Sequence, residues 1–284
     1  MGQESQDLLT MRTAFLTAYP KIFTDIDNSF LIMKEMFGLA HQYDFQFSYS
    51  QFNPNLSLEI EARYKSLSEV LKQQLIFLGP ETVIIELAAG LSPRKLDFCN
   101  FEYYELDFQK ICELKSDIYE RIGYNNFTND LISIDLTDFE KLENNLQNIE
   151  INNSGKNFIF ISEGLFWYLE RKDVFNIASI IKKFLIRNNG CWINADCPVF
   201  FDQFKDVEYR TFISQSSNKD MNEPFSDFQD YKNFFEEIGY ELSSYKLLDI
   251  ISFADISSAK LFSVSNNEIA DRCNSYTNIA LLRI

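Results

Sequence analysis

The stretch Val83-Ile84-Ile85-Glu86-Leu87-Ala88-Ala89-Gly90-Leu91-Ser92-Pro93-Arg94 constrains the fold most. A β-branched apolar run ends in an acid, two alanines and a glycine follow, and Ser-Pro can open a helix. Such a run is a buried parallel strand that stops, turns tightly and hands over to a helix. A small-residue turn at the carboxyl end of a strand lets a ligand approach the backbone closely, so a cofactor site is expected here.

The flanking sequence agrees with a parallel sheet. Residues 1–80 read as mostly helical. Within them, Ile60, Tyr64, Leu67, Leu71 and Leu75 form one apolar helical face over 56–78, and Gly79-Pro80 ends it. Strands and helices then alternate. Strands are expected at 82–87, 102–106, 131–134, 157–162 and 191–195, and helices at 92–98, 108–121 and 172–186, with another after Asp135. This series predicts an α/β fold, a mostly parallel sheet with helices on both faces. A helix at 231–238 and strands at 240–248 and 278–284 would complete it at the far edge, one of them antiparallel. The reading gives one domain. Residues 1–80 form an N-terminal helical cap, 81–284 carry the ligand site, and 198–230, with weak periodicity, is a candidate lid insertion.

Composition excludes several function classes. The 284 residues carry a formal net charge of −16 and no Lys/Arg-rich run, which argues against a nucleic-acid binder. The five cysteines lack CxxC spacing and His41 is the single histidine, so neither a disulfide framework nor a metal site is expected. No apolar run reaches the length of a membrane span, and the first residues lack a signal-peptide core, so a soluble, cytoplasmic protein is expected.

Acids and small residues fall at the ends of successive strands. Glu86 and Gly90 follow the first, Glu105 and Asp107 the second, Asp135 the third and Glu163 the fourth. Ligands of open α/β sheets bind beyond the carboxyl ends of the strands, and an acid roughly 20 residues past the glycine turn suits a ribose. The turn lacks GxGxxG, because Ala88 and Pro93 occupy the outer glycine places, and no GxxxxGK[ST] occurs. Ribose acceptors without a phosphate cradle fit S-adenosylmethionine better than NAD or ATP.

The segment 83–94 resembles the VxELGAGxxxR signature of leucine carboxyl methyltransferase-like proteins. These are class I S-adenosylmethionine-dependent O-methyltransferases with a Rossmann-like, seven-stranded fold, and they include the tetracenomycin-type polyketide methyltransferases. Tyr104-Glu105-Leu106-Asp107 with Lys115, Asp135-Leu136, Ser162-Glu163-Gly164-Leu165-Phe166-Trp167-Tyr168-Leu169 and Glu61-Ala62-Arg63-Tyr64 are similar to further segments of that family, in order over about residues 55–200. Ala88 stands where glycine is more usual, and Gln109 where proline is frequent.

The resemblance implies that Arg63 pairs with the cofactor carboxylate. Ala88 and Gly90, beyond the strand-end Glu86, let the backbone pass its methionine part. Glu105 or Asp107 holds the ribose, Asp135 accepts from the adenine amino group, and Leu136 packs on the ring. Glu163 lies near the methionine moiety or the methyl-transfer locus. The expected reaction is in-line methyl transfer to a small-molecule or carboxylate acceptor, polyketide-like acceptors included. A carboxylate acceptor needs no base; for a phenol or enol, Glu163 or Asp196 would be the base, and Tyr168 is a weaker catalytic candidate. Two other readings are an NAD-dependent oxidoreductase on a related sheet and a catalytically silent cofactor-binding scaffold.

Overall fold

The computed structural model describes residues 6–43, 54–198 and 224–284. Seven strands form one sheet: β1 (Thr82–Leu87), β2 (Glu102–Asp107), β3 (Leu131–Ser133), β4 (Asn157–Ser162), β5 (Gly190–Pro198), β6 (Glu241–Lys246) and β7 (Thr277–Arg283). Their order is β3-β2-β1-β4-β5-β7-β6. The first five run parallel, and β7 lies antiparallel between β5 and β6. The order reverses between β1 and β4, so a crevice opens at the carboxyl ends of these two central strands.

The eleven α-helices of the described residues are α1 (Gln6–Ala18), α2 (Ser29–Leu39), α3 (Pro54–Leu78), α4 (Arg94–Asp97), α5 (Gln109–Arg121), α6 (Phe139–Asn152), α7 (Arg171–Arg187), α8 (Phe228–Ile238), α9 (Leu247–Ile250), α10 (Ser257–Leu261) and α11 (Asn266–Tyr276). Strand alternation sorts them into layers. Val83, Ile85 and Leu87 face a core shared with Leu142 and Leu146 of α6, Val174, Ile177 and Ile181 of α7, and Tyr231 and Phe235 of α8. Ile84, Ile159, Ile161 and Ile193 face the other way, against Leu58, Ala62, Leu67 and Leu71 of α3. A third cluster joins α1 and α2 to α5 through Met11, Phe15, Ile32, Met33 and Met36 against Ile111, Leu114 and Ile118.

Of the apolar face expected for 56–78, Leu67, Leu71 and Leu75 cover the sheet, whereas Ile60 and Tyr64 are buried outside that cluster, Tyr64 beneath Lys21 and Arg94. Helices α1 and α2 pack on α5. The helix expected at 92–98 is a single turn, because Pro93 precedes it and Phe98 bonds back to Arg94 to close it. The segment between β6 and β7 folds into α9, α10 and α11, which periodicity missed. In α11 Ile269 and Cys273 are the core-facing pair, too little for a helical stripe, and Ser265 caps it through Glu268 N–H at 3.3 Å. Residues 199–223 of the candidate lid lie outside the described residues; 224–227 lead into α8, whose first turn takes up 228–230.

Candidate active site

A cavity of about 200 Å³ opens at the carboxyl ends of β1, β2, β3 and β4. Its walls include Arg63, Glu86, Ala88, Gly90, Asp107, Asp135, Leu136, Glu163 and Tyr168, so most of the residues singled out in the sequence meet in one place. Glu105 and Asp196 do not line it.

The turn after β1 forms the floor. Ala88 (φ 52°) and Gly90 (φ 51°) are both left-handed, which bends the chain sharply off the strand. The turn is held from the next strand: the Gly90 N–H donates to Asp107 Oδ2 at 2.7 Å and the Phe108 N–H to Asp107 Oδ1 at 2.7 Å. Burial pushes Asp107 up to about 6 despite these two donors. Each carboxylate oxygen retains a lone pair for a further donor from the cavity. Glu105, two residues deeper on the same strand face, is sealed beneath α5, where Lys115 Nζ (2.5 Å) and Tyr119 Oη (2.8 Å) donate to it.

One end of the cavity is strongly charged. Arg94 is fully buried and bridges two strand-end acids. It donates to Glu86 and, at 2.7 Å, to Glu163 Oε2. Tyr103 Oη supplies the second Glu86 oxygen at 2.6 Å, and Arg63 Nε donates to Glu163 Oε1 at 3.0 Å. Burial acts to raise Glu163, but Arg63, Arg94 and Lys21 overcome it and hold its carboxyl at about 2.

Lys21 is the residue that sequence reasoning missed. It sits in a 3-10 turn, Tyr19–Phe23, and reaches the cavity from the N-terminal segment. It is 5% exposed; its ammonium lies 5.1 Å from the centre of the Tyr64 ring and makes no hydrogen bond to the described residues. Burial pulls it down to about 8, with Arg94 and Arg63 adding to the effect and Glu163 opposing it. Among the described residues Lys21, Arg63 and Arg94 thus face two carboxylates, Glu86 and Glu163, which gives this end of the cavity a positive character suited to an anion. A lone lysine among Tyr19, Pro20, Ile22 and Phe23 was the available signal.

At the other end Asp135 is exposed to the cavity and accepts from Thr137 N–H (2.9 Å) and Oγ1 (2.7 Å) through Oδ1. Oδ2 is left open among the described residues. Leu136, Ile134, Phe108 and Ile111 give this end apolar walls. Asp196, from the end of β5, repeats the arrangement of Asp107 on the neighbouring loop. It accepts from Gly164 N–H at 2.6 Å and Leu165 N–H at 3.1 Å, and burial raises it to about 6.

The donor set fits S-adenosylmethionine. Cations stand at one end for a carboxylate, a carboxylate stands mid-cavity beside the glycine turn, and an open acceptor and apolar walls stand at the far end. The turn after β1 leads into the one-turn helix α4, which supplies no extended helix N-terminus for a pyrophosphate.

Comparison with known proteins agrees. A structure of a DUF574 family protein from Streptomyces avermitilis superposes with a TM-score of 0.57 at 11% identity, over 98% of this chain and 99% of that one. A proposed methyltransferase from Thermobifida fusca superposes with a TM-score of 0.52 at 10% identity, over 81% of this chain and 83% of that one. At these identities the likeness is one of fold. No curated protein sequence matches the chain. The family model for leucine carboxyl methyltransferase matches residues 10–182, more than half of the chain and all of the cavity's walls. The chain belongs to the leucine carboxyl methyltransferase family, whose cofactor is S-adenosylmethionine.

Proposed function

We propose that the protein is an O-methyltransferase whose acceptor is a carboxylate, on a small molecule or at a chain end. In this reading Lys21 and Arg63 take the cofactor carboxylate, Asp107 takes the ribose hydroxyls, Asp135 Oδ2 takes the adenine amino group and Leu136 packs on the ring. Ala88 and Gly90 form the backbone floor. Bound S-adenosylmethionine supplies an electrophilic methyl group for in-line displacement by the acceptor oxygen. The protein's part is to hold the two reactants in line and keep water out.

The observation that favours a carboxylate acceptor is that both acids expected as bases for a phenol or enol, Glu163 and Asp196, are engaged by other groups. Glu163 is held at about 2, and both its oxygens are engaged by Arg63 and Arg94. Asp196 lies behind the wall with both oxygens on backbone N–H groups. No histidine lines the cavity among the described residues. An acceptor that is ionised at neutral pH needs no proton removed. The test is methyl transfer from labelled S-adenosylmethionine to matched carboxylic acids and phenols. A base-labile methyl ester is the expected product, with a rate that stays level from pH 6.5 to 7.5. Transfer to phenols alone, rising with pH, would refute the carboxylate assignment.

A further inference from the structure

The Lys21 ammonium has no hydrogen-bonding partner among the described residues, so its place in the cavity depends on what anchors its turn. The turn is closed by Thr24, whose N–H (3.1 Å) and Oγ1 (2.6 Å) both donate to the Lys21 carbonyl. The next residue, Asp25, ties it to the rest of the molecule twice. Its N–H donates to Ser257 Oγ at 2.8 Å, and its carboxylate accepts from Lys65 Nζ.

Lys65 belongs to α3, the helix of Arg63. Two residues along an α-helix is about 200° of rotation, so Lys65 lies on the face away from the cavity, which it does not line. Its ammonium is oriented by Glu61 Oε1 at 2.7 Å, one turn earlier, and it also donates to the Asp255 carbonyl. Glu61 is fully buried and accepts from the N–H and Oγ of both Ser257 and Ser258 at 2.5–2.9 Å. Three chain segments therefore meet at one ammonium group: Asp25 after the Lys21 turn, the Arg63 helix, and Asp255 just before α10.

We propose that Lys65, oriented by Glu61 and bonded to Asp25, is a positioning residue that fixes Lys21 against the helix bearing Arg63, and so sets the spacing of the two cations that take the cofactor carboxylate. This rests on the assignment of Lys21 and Arg63 to that carboxylate. A merely structural role would weaken every ligand of the cavity alike. A positioning role weakens only ligands that carry the amino-acid end.

The experiment compares binding of S-adenosylhomocysteine, which has that end, with 5′-methylthioadenosine, which lacks it. Calorimetry is done on the full chain and on the Lys65→Met, Lys65→Arg, Asp25→Asn and Lys21→Met variants. Lys65→Met should weaken S-adenosylhomocysteine about tenfold and methylthioadenosine less than about twofold, and Lys65→Arg should restore most of the loss. Asp25→Asn, at an exposed side chain that leaves the fold intact, should shift the same ratio in the same direction. Combining Lys65→Met with Lys21→Met should add little to Lys21→Met alone. Equal losses for both ligands, an unchanged ratio in Asp25→Asn, or full additivity with Lys21→Met would overturn the proposal. An unchanged ratio in Lys21→Met itself would instead remove the carboxylate assignment beneath it, so the two failures are separable.

Discussion

Asp107 accepts the Gly90 N–H at 2.7 Å, and this bond fastens the left-handed turn after β1 to the end of β2. Asp196 does the same for the loop after β4 from the end of β5, through Gly164 and Leu165. In each case the loop that must approach a ligand closely is held by a buried carboxylate of the adjoining strand. The backbone donors of a tight turn need an acceptor, and a carboxylate supplies one while keeping lone pairs for a ligand.

Asp107→Asn should weaken S-adenosylhomocysteine by about 1–3 kcal/mol, because an amide group cannot accept from Gly90, Phe108 and a ribose at once. In the unaltered protein, affinity should fall as pH drops through about 6, where Asp107 takes up a proton and loses acceptor capacity. Stability runs the other way for this group. Its folded pKa lies above the unfolded value of 3.8, so the native state binds more protons between about 4 and 6, and Asp107 destabilises less as pH falls through that window. Titrations of ligand against pH, beside urea denaturation at the same pH values, separate the two effects. Affinity that stays level from pH 7 to 5 would remove Asp107 from the ribose.

Lys21 predicts proton uptake. Burial lowers it to about 8 in the free protein, so near pH 8.5 a large fraction of it is neutral. A carboxylate bound against it favours the ammonium form and draws a proton from solution. Calorimetry in buffers of different ionisation heat should show S-adenosylhomocysteine binding with uptake of a fraction of a proton at pH 8.5. Methylthioadenosine should bind with none, and Lys21→Met should abolish the uptake. Identical proton counts for the two ligands would contradict the assignment.

The sheet and the acids were legible because their signals are local. The unbroken apolar runs 83–85 and 158–161 sit between turn residues, and the strands have the expected bounds 82–87 and 157–162. Asp107 ends β2, Asp135 lies two residues past β3 and Glu163 directly follows β4, and topology carries strand ends to one crevice. Glu105 and Asp107 were inseparable for a physical reason. They share a strand face, and what distinguishes them is depth under α5, set by Lys115 and Tyr119 from another element. Lys21 lies 42 residues before Arg63 and outside any strong periodicity, so its place could be known only from the fold. Arg94 falls between these cases: its partner Glu86 is eight residues away in the same motif, but its partner Glu163 comes from the end of another strand.

Arg94→Met should cost about 3–5 kcal/mol, because Glu86 and Glu163 would remain buried without the guanidinium that joins them. The urea midpoint measures the loss. The sign of the pH dependence follows from Glu163. Its pKa falls from 4.5 to about 2 in the folded state, so its contribution is full above about 4.5 and is lost as pH falls toward 2. In Glu163→Gln that part of the acid-induced loss should vanish. An Arg94→Met protein with an unchanged midpoint would show that solvent or side-chain rearrangement compensates the two acids.

Ala88 holds a backbone conformation that suits glycine, with φ at 52°, while its methyl group lines the cavity. A left-handed conformation costs a residue with a Cβ roughly 1–2 kcal/mol, and glycine's extra freedom in the unfolded chain takes back about 0.5–1 kcal/mol. Ala88→Gly should therefore raise stability slightly, by about 0.5 kcal/mol, on the same balance. Ala88→Val should lower it clearly, since β-branched residues are outliers at positive φ, and should also narrow the floor on which the cofactor lies. Urea midpoints and S-adenosylhomocysteine titrations of the pair test both statements. If glycine lowers the midpoint, the methyl group contributes more through packing against the core around Leu87 and Leu136 than it costs in backbone strain.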